Sequence, residues 1–264
     1  MSWSKRLQSL ISNFYYLIFI LVPLIFLPST SELFEFNKII ITYILTTVIV
    51  CTWAIRCIVE KKFIFRRTLL DIPILLFLGS NILSLLGSID IHTSWYGYYS
   101  RWNGGLLSLI SYSLLYWAFV SNMDSKSAQK VIFYSLISSI LVSIYASFEH
   151  FGFSISCLLT TGKFDVACWV QDVQNRVFAT LGQPNWLAAY LVALIFIPIS
   201  QTLKKFSVHY SLQRSYFISI LLFLTLLFTK SRSGLLAFGI SSLIFWGIYF
   251  IHLGQLEIRS IRNF

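Results

Sequence analysis

One segment of the chain combines a cation with residues that interrupt a membrane helix. Arg176 closes a polar loop, and Gly182, Gln183, Pro184 and Asn185 then follow one another inside an apolar run. Backbone that breaks inside a membrane is tolerated only where protein or water satisfies its freed polar groups. We therefore expect Gln183 and Asn185 to line a cavity. A plain proline kink, with Arg176 as an interfacial anchor, explains Pro184 but not four such residues in succession.

A second segment, residues 93–105, places Arg101 among aromatic residues and glycines. A guanidinium binds phosphate through a planar fork of donors, and aromatic faces could stack on a sugar. The same composition is also typical of the aromatic belt that lies at the headgroup level of a membrane. Both interpretations stay open for this segment.

A third segment, residues 229–234, holds Lys230 and Arg232 in a short turn before an apolar run. The helix that begins near Gly234 would add its free amide groups, which favour an anion. An ordinary polar hairpin between two helices is the alternative. Taken together, Arg101, Arg176 and Arg232 predict a pyrophosphate-binding site at the membrane surface.

Composition excludes a soluble globular protein. Hydrophobic residues make up 57% of the 264 residues and charged residues 11%, against roughly 45–50% and about 25% in soluble domains. The formal charge is +10, but the basic residues form no clustered footprint of the kind that nucleic acid requires. We therefore expect a membrane protein with no nucleic-acid partner.

The apolar runs predict an all-α, polytopic membrane fold with about eight transmembrane helices. Each run approaches the length needed to cross about 30 Å of hydrocarbon. They are residues 14–27, 39–55, 72–89, 106–120, 131–148, 177–199, 216–228 and 235–253.

The distribution of Lys and Arg predicts the orientation. Cytoplasmic segments of membrane proteins carry the excess of these residues, and this bias places both termini in the cytoplasm. Most of the 20 Lys and Arg residues then lie inside, including Lys204 and Lys205. We expect a single transmembrane helical domain over residues 1–264, with outer loops at 90–104 and 150–176 and a cytoplasmic tail at 254–264. Because the exceptional outer cations include all three arginines of the candidate segments, function is expected to face outward.

The four cysteines divide between compartments. Cys157 and Cys168 both fall in the outer loop 150–176, where an oxidising environment permits a disulfide. Spacing alone does not show whether their Cα atoms approach, so a bridge and two free thiols both remain open. Cys51 and Cys57, in or next to the second apolar run, are expected to be inert packing residues.

The three segments, in their order along the chain, resemble motifs of the O-antigen ligase and O-antigen polymerase superfamily, the lipid-linked glycan ligases. That family carries G-x-Y-x-R-x-x-G, then R-x-x-x-T-x-G-x-P-N, then T-x-S-R-x-G. Here the matching positions are Gly97, Tyr99, Arg101 and Gly104, then Arg176, Thr180, Gly182, Pro184 and Asn185, then Thr229, Ser231, Arg232 and Gly234. The resemblance covers nearly the whole chain.

The resemblance implies a glycosyltransferase of lipopolysaccharide or other polysaccharide biosynthesis in the bacterial inner (plasma) membrane. Such an enzyme moves a glycan from an undecaprenyl-pyrophosphate carrier to a glycan, lipid or protein acceptor on the outer face. Arg176 and Arg232 would bind the pyrophosphate leaving group, and Arg101 is a further candidate. Cations aimed at the charge that develops on a leaving group are most effective in a water-poor site. The resemblance implies no metal and no cofactor.

The sequence departs from the family where the general base is expected. Ligases of this family carry a large outer loop after the T-x-S-R segment, with a histidine proposed as the base, and no such loop or later span follows here. A truncated form is one interpretation, and a base from elsewhere is another. His150, beside Glu149, and His92 are the candidates in the outer segments, and the catalytic residue stays unassigned. A transporter or channel for a small anion and a non-catalytic fragment are the alternative functions.

Overall fold

The computed structural model describes residues 3–30, 32–203 and 209–262, and the regular secondary structure of these residues is helical, with one isolated β-bridge between Gly97 and Gly104. Lys204 and Lys205 lie outside the described residues, as do positions 263–264 of the expected tail. The helices are α1 (Trp3–Leu24), α2 (Glu35–Val59), α3 (Asp71–Leu86), α4 (Ile91–Tyr96), α5 (Leu106–Asn122), α6 (Ser125–His150), α7 (Ile155–Thr161), α8 (Pro184–Leu203), α9 (His209–Phe228) and α10 (Arg232–Arg262), with a 3₁₀ turn at Ala179–Leu181.

The prediction of an all-helical fold is confirmed for the described residues. Five helices are long and apolar enough to cross a membrane: Trp3–Leu24, Glu35–Val59, Ser125–His150, Pro184–Leu203 and the Arg232–His252 part of α10. Three shorter apolar helices cover Asp71–Leu86, Leu106–Asn122 and Ser215–Phe228. Each of the eight predicted apolar runs therefore overlaps a helix, although α8 begins only at Pro184 within the run 177–199, and five of these helices reach spanning length.

Two short helices, α4 and α7, begin at side-chain caps. The Asp90 carboxylate accepts hydrogen bonds from the amides of His92 and Thr93 at the start of α4. The Ser154 hydroxyl accepts one from the amide of Cys157 at the start of α7. Such caps satisfy amides that have no partner within the first helical turn.

The chain divides into two compact units, Met1–Ser138 and Ser139–Phe264. In the first unit α1, α2 and α5 pack around Ile11, Tyr15, Ile49, Trp53 and Ala118. The hydroxyl of Tyr15 donates to the backbone oxygen of Leu115 at 2.6 Å, so the buried phenol is satisfied. The helix α3 is apolar, and none of its residues is buried.

In the second unit α8 packs against α9 and α10. Leu187, Ala188, Leu191 and Ile195 form its buried face. Most of α10 is not covered by other residues, since only 6% of its most apolar stretch, within Arg232–His252, is buried. This unit contains two of the three candidate segments, residues 176–185 and 229–234.

Candidate functional site

The second unit holds a polar cavity of about 470 Å³ beside the break before α8. Its wall includes Arg176, Gln183 and Asn185, the three residues that the sequence singled out in this segment. The remaining lining residues come from the end of the loop 150–176 and from the break itself: Gln171, Asp172, Asn175, Phe178, Gly182 and Pro184. One cavity thus collects a guanidinium, a carboxylate and several amides.

The chain before α8 is not helical, although the sequence placed residues 177–199 in one apolar run. Residues Val177 to Thr180 are buried in a loop and a 3₁₀ turn, and α8 begins only at Pro184. Gly182 has φ +77°, a conformation that glycine adopts without strain and that ends the turn. Pro184 then starts α8, where its missing amide hydrogen removes no helical bond.

A buried carboxylate fixes the irregular backbone behind the cavity. Glu149, at the end of α6, is completely buried and accepts a hydrogen bond of 2.7 Å from the amide of Ala179. Ala179 has φ +49°, which is rare for a residue with a side chain. The bond therefore holds a strained position whose neighbour, Phe178, lines the cavity.

Arg176 reaches both the cavity and the turn between α9 and α10. Its Nε donates a long bond of 3.5 Å to the backbone oxygen of Thr229. The amide of Val177 donates to the backbone oxygen of Phe228 at 3.3 Å. The Nη groups of Arg176 make no hydrogen bond to any residue that the structure describes, and they remain available to an anion.

The turn at residues 229–234 is joined to the same wall by a buried hydroxyl. Ser231 is completely buried, and its Oγ donates to Asn185 Oδ1 at 2.8 Å. The same Oγ accepts from the amide of Gly234 at 3.1 Å and so caps the start of α10. Lys230 bonds to Asn175 on the cavity wall. The segments 176–185 and 229–234 are therefore in contact.

A close approach of two helices explains the glycine in this turn. A Cβ added to Gly234 would lie 2.4 Å from the Cβ of Ala188 on α8. Only glycine lets α10 pass α8 at this distance. This contact positions Ser231 over Asn185, and it leaves Arg232 as the exposed first residue of α10. Arg232 is not among the residues that line the cavity.

Arg101 belongs to the first unit and has an acidic partner. Its Nη1 lies 3.4 Å from Glu35 Oε2, and its guanidinium lies 6.0 Å from the ring centre of Tyr98. Asn103 also donates to Glu35, at 2.7 Å. The charge of Arg101 is therefore compensated within its own unit, a partner that the sequence did not reveal.

The two candidate histidines are held in different ways. His150 Nδ1 donates to the backbone oxygen of Gln174 at 2.8 Å, since a carbonyl can only accept. Its ring stacks on Phe228 with 4.0 Å between centres, and His150 is not among the residues that line the cavity. His92 lies in the first unit, with its ring centre 4.9 Å from that of Tyr96.

Cys157 and Cys168 form a disulfide in the structure, with their Cα atoms 5.5 Å apart. The bridge ties α7 to the stretch that leads into Trp169. The ring of Trp169 meets Phe178 edge to face at 5.2 Å. The bridge therefore supports the loop 150–176 close to a residue of the cavity wall.

Asp172 is the site residue that sequence reasoning missed. It is exposed and lines the cavity four positions before Arg176, and its Oδ1 accepts the amide of Asn175 at 3.1 Å. The available signal was the mostly polar stretch Gln171–Asn175 directly before Arg176, but a carboxylate in a loop normally indicates only solvation.

No family model matches the sequence, and no match was found among the curated proteins or the solved structures.

Proposed function

We propose that this chain is a membrane glycosyltransferase of the O-antigen ligase kind. It would move a glycan from an undecaprenyl-pyrophosphate carrier to an acceptor hydroxyl on the outer face of the bacterial inner membrane. The observation that carries the proposal is the cavity of about 470 Å³ whose wall includes Arg176, Gln183 and Asn185. Asn185 also accepts a hydrogen bond from Ser231, which directly precedes Arg232.

The proposal includes a membrane arrangement. We infer that eight helices cross the membrane, that both termini are cytoplasmic and that the cavity opens outward. Five helices of spanning length and three shorter apolar helices support this arrangement. The Lys and Arg bias supports the orientation.

Bond breaking in this reaction places negative charge on the pyrophosphate. The acceptor oxygen attacks the anomeric carbon, the bond from that carbon to the phosphate oxygen breaks, and its electron pair leaves on the pyrophosphate. Arg176, with its Nη groups directed to no described residue, would take this charge through a bidentate contact. Arg232 and the amides at the start of α10 would contact the second phosphate. Arg101 would contribute less to pyrophosphate binding, because Glu35 already compensates its charge.

The acceptor proton needs a base within hydrogen-bond reach of the reacting oxygen. We assign this role to Asp172, the acidic residue on the described wall of the cavity. One of its oxygens accepts the amide of Asn175, and the other can accept the acceptor hydroxyl. His150, the weak candidate from the sequence, is instead occupied by Gln174 and Phe228.

Variants in cells that lack the native gene test the proposal. We expect Arg176→Ala and Arg232→Ala to abolish transfer of glycan to the cell surface while the protein remains in the membrane. Arg176→Lys should restore little, since an ammonium lacks the bidentate fork. Lys163→Ala, which removes another cation of the outer loop, is the matched control and should act as the native protein does. Full transfer by both alanine variants would overturn the pyrophosphate site.

A second pair of variants tests the base. Asp172→Asn should lower the turnover of the transfer by about 10²–10⁴-fold and leave the amount of bound donor unchanged. Asp165→Asn is the matched control, because Asp165 lies in the same loop and accepts a similar local bond from the amide of Ala167. Native turnover in Asp172→Asn would remove Asp172 from the mechanism and leave the arginine assignments in place.

A further inference from the structure

A second cavity, of about 490 Å³, lies in the first unit where α3 begins beside α5. Its walls are mainly apolar, from Phe65, Ile72, Leu75 and Trp117. Ile72 and Leu75 are 70% and 57% exposed, so the apolar wall continues onto the outer surface of α3. None of these residues belongs to the proposed glycosyl-transfer site.

Two opposite charges stand at the polar end of this cavity. Arg67 is exposed and lines the cavity. Its guanidinium makes no hydrogen bond and no direct ion pair with any residue that the structure describes, although its charge acts on the neighbouring carboxylate of Asp71. A guanidinium in this state can take a phosphate through two parallel bonds.

The second charge, Asp71, is held in a fixed orientation. Its Oδ2 accepts the amide of Thr68 at 2.8 Å, and its Oδ1 accepts the hydroxyl of Thr68 at 2.8 Å and the indole N–H of Trp117 at 3.1 Å. A carboxylate offers about four acceptor positions. One position is therefore left for a further donor from the cavity.

The combination of a guanidinium without a hydrogen-bond acceptor among the described residues, a fixed carboxylate and an apolar wall is complementary to one class of membrane lipid. We propose that this cavity binds phosphatidylethanolamine, with its phosphate on Arg67, its primary ammonium on Asp71 and an acyl chain along Ile72 and Leu75. Phosphatidylcholine carries the same charges, but its methylated ammonium cannot donate a hydrogen bond to Asp71. Phosphatidylglycerol places a neutral glycerol in the position of the ammonium, so no cation reaches the carboxylate of Asp71. The site does not depend on the proposed glycosyl transfer.

Lipid binding to the full-length, delipidated protein in detergent tests this assignment. Native mass spectrometry would compare phosphatidylethanolamine, phosphatidylcholine and phosphatidylglycerol with identical acyl chains. We expect phosphatidylethanolamine to bind at least fivefold more tightly than either of the others. Arg67→Gln should weaken its binding about tenfold, whereas Arg66→Gln, the neighbouring arginine outside the cavity wall, should bind as the native protein does.

The carboxylate is tested by Asp71→Asn, with Asp124→Asn as the control. Asp124 accepts a similar local bond, from the amide of Ser127, but does not line this cavity. We expect Asp71→Asn to bind phosphatidylethanolamine and phosphatidylcholine equally. If that variant does not fold, the comparison of Arg67→Gln with Arg66→Gln still decides the outcome. Equal binding of the three lipids to the native protein would overturn the proposal, as would equal weakening by the two arginine variants. Tight binding of soluble glycerophosphoethanolamine would also overturn it, because the apolar wall would then contribute nothing.

Discussion

Substitution of Gly234 by alanine measures how strongly the approach of α8 and α10 supports the candidate site. The added Cβ would lie 2.4 Å from Ala188 Cβ, whereas ordinary contacts are 3.4–4 Å. Neither group is the end of a flexible side chain, so the helices must separate by about 1 Å, and overpacking of this kind costs about 1–3 kcal/mol. At about 2–4 °C per kcal/mol for a chain of this size, we expect the unfolding temperature to fall by several degrees.

Thermal unfolding of the purified protein in detergent provides the assay, and the same helix provides the control. A Cβ added to Gly239 meets nothing within 4 Å, so Gly239→Ala should keep or raise the unfolding temperature through its better helix propensity. Adding Ala188→Gly should restore the unfolding temperature of the Gly234→Ala variant, because it removes the opposing Cβ. The coupling energy between the two substitutions should be about 1–2 kcal/mol. Native stability in Gly234→Ala, or no rescue by Ala188→Gly, would refute the close approach.

Three further predictions concern the loops 90–104 and 150–176 and the buried carboxylate of Glu149. Reductant should lower the unfolding temperature of the native protein but not that of the Cys157→Ser, Cys168→Ser double variant, because the bridge stabilises the fold by about 3 kcal/mol; equal responses to reductant would contradict it. In the same unfolding assay Glu149→Ala should destabilise the protein by about 1–3 kcal/mol, since it leaves the buried amide of Ala179 without an acceptor. Glu149→Gln should lose less stability, because it retains a carbonyl oxygen. Equal losses of stability would exclude the hydrogen bond from Ala179 as the cause. Hydrogen bonds from Thr93, first from its hydroxyl, hold the pKa of Asp90 below its usual value, so the stability that they add is present above about pH 4 and is lost as the pH falls through the lowered pKa of the folded state. Hydrogen exchange of the α4 amides, corrected for intrinsic rates, should accelerate on acidification in the native protein and be fast at every pH in Asp90→Ala.

The helices could be predicted from the sequence because their signal is local and repeated. Each apolar run overlaps a helix. A backbone in hydrocarbon must satisfy its hydrogen bonds internally, and a helix does so. The short helices α4 and α7 were not predicted. Asp90 and Ser154 cap these helices, but Asp and Ser are also common in turns. The sequence alone therefore does not show that a helix follows them.

The break before α8 could be predicted in kind but not in extent. Gly182 and Pro184 indicated an interruption, and the structure places the start of α8 at Pro184. The bond from Ala179 to Glu149, which holds the irregular part, joins residues of different elements. Sequence patterns do not encode such a contact.

The candidate site was predicted where a residue type was unusual for its place. Arg176, Gln183 and Asn185 stood out against an apolar background, and the structure places all three on one cavity wall. Asp172 was missed because a carboxylate in a polar loop is unremarkable until folding places it beside Arg176. The pairing of Arg101 with Glu35 was missed for a related reason, since a distant partner sets the charge that an arginine can offer.

Equilibrium binding of undecaprenyl pyrophosphate to the purified protein tests the central claim most directly, because it requires no knowledge of the glycan or its acceptor. The account predicts that the native protein binds the pyrophosphate more tightly than undecaprenyl monophosphate. It predicts that Arg176→Ala and Arg232→Ala each reduce this preference about tenfold or more, while Lys163→Ala retains it. Equal affinity for the two lipids, or an unchanged preference in both arginine variants, would contradict the account.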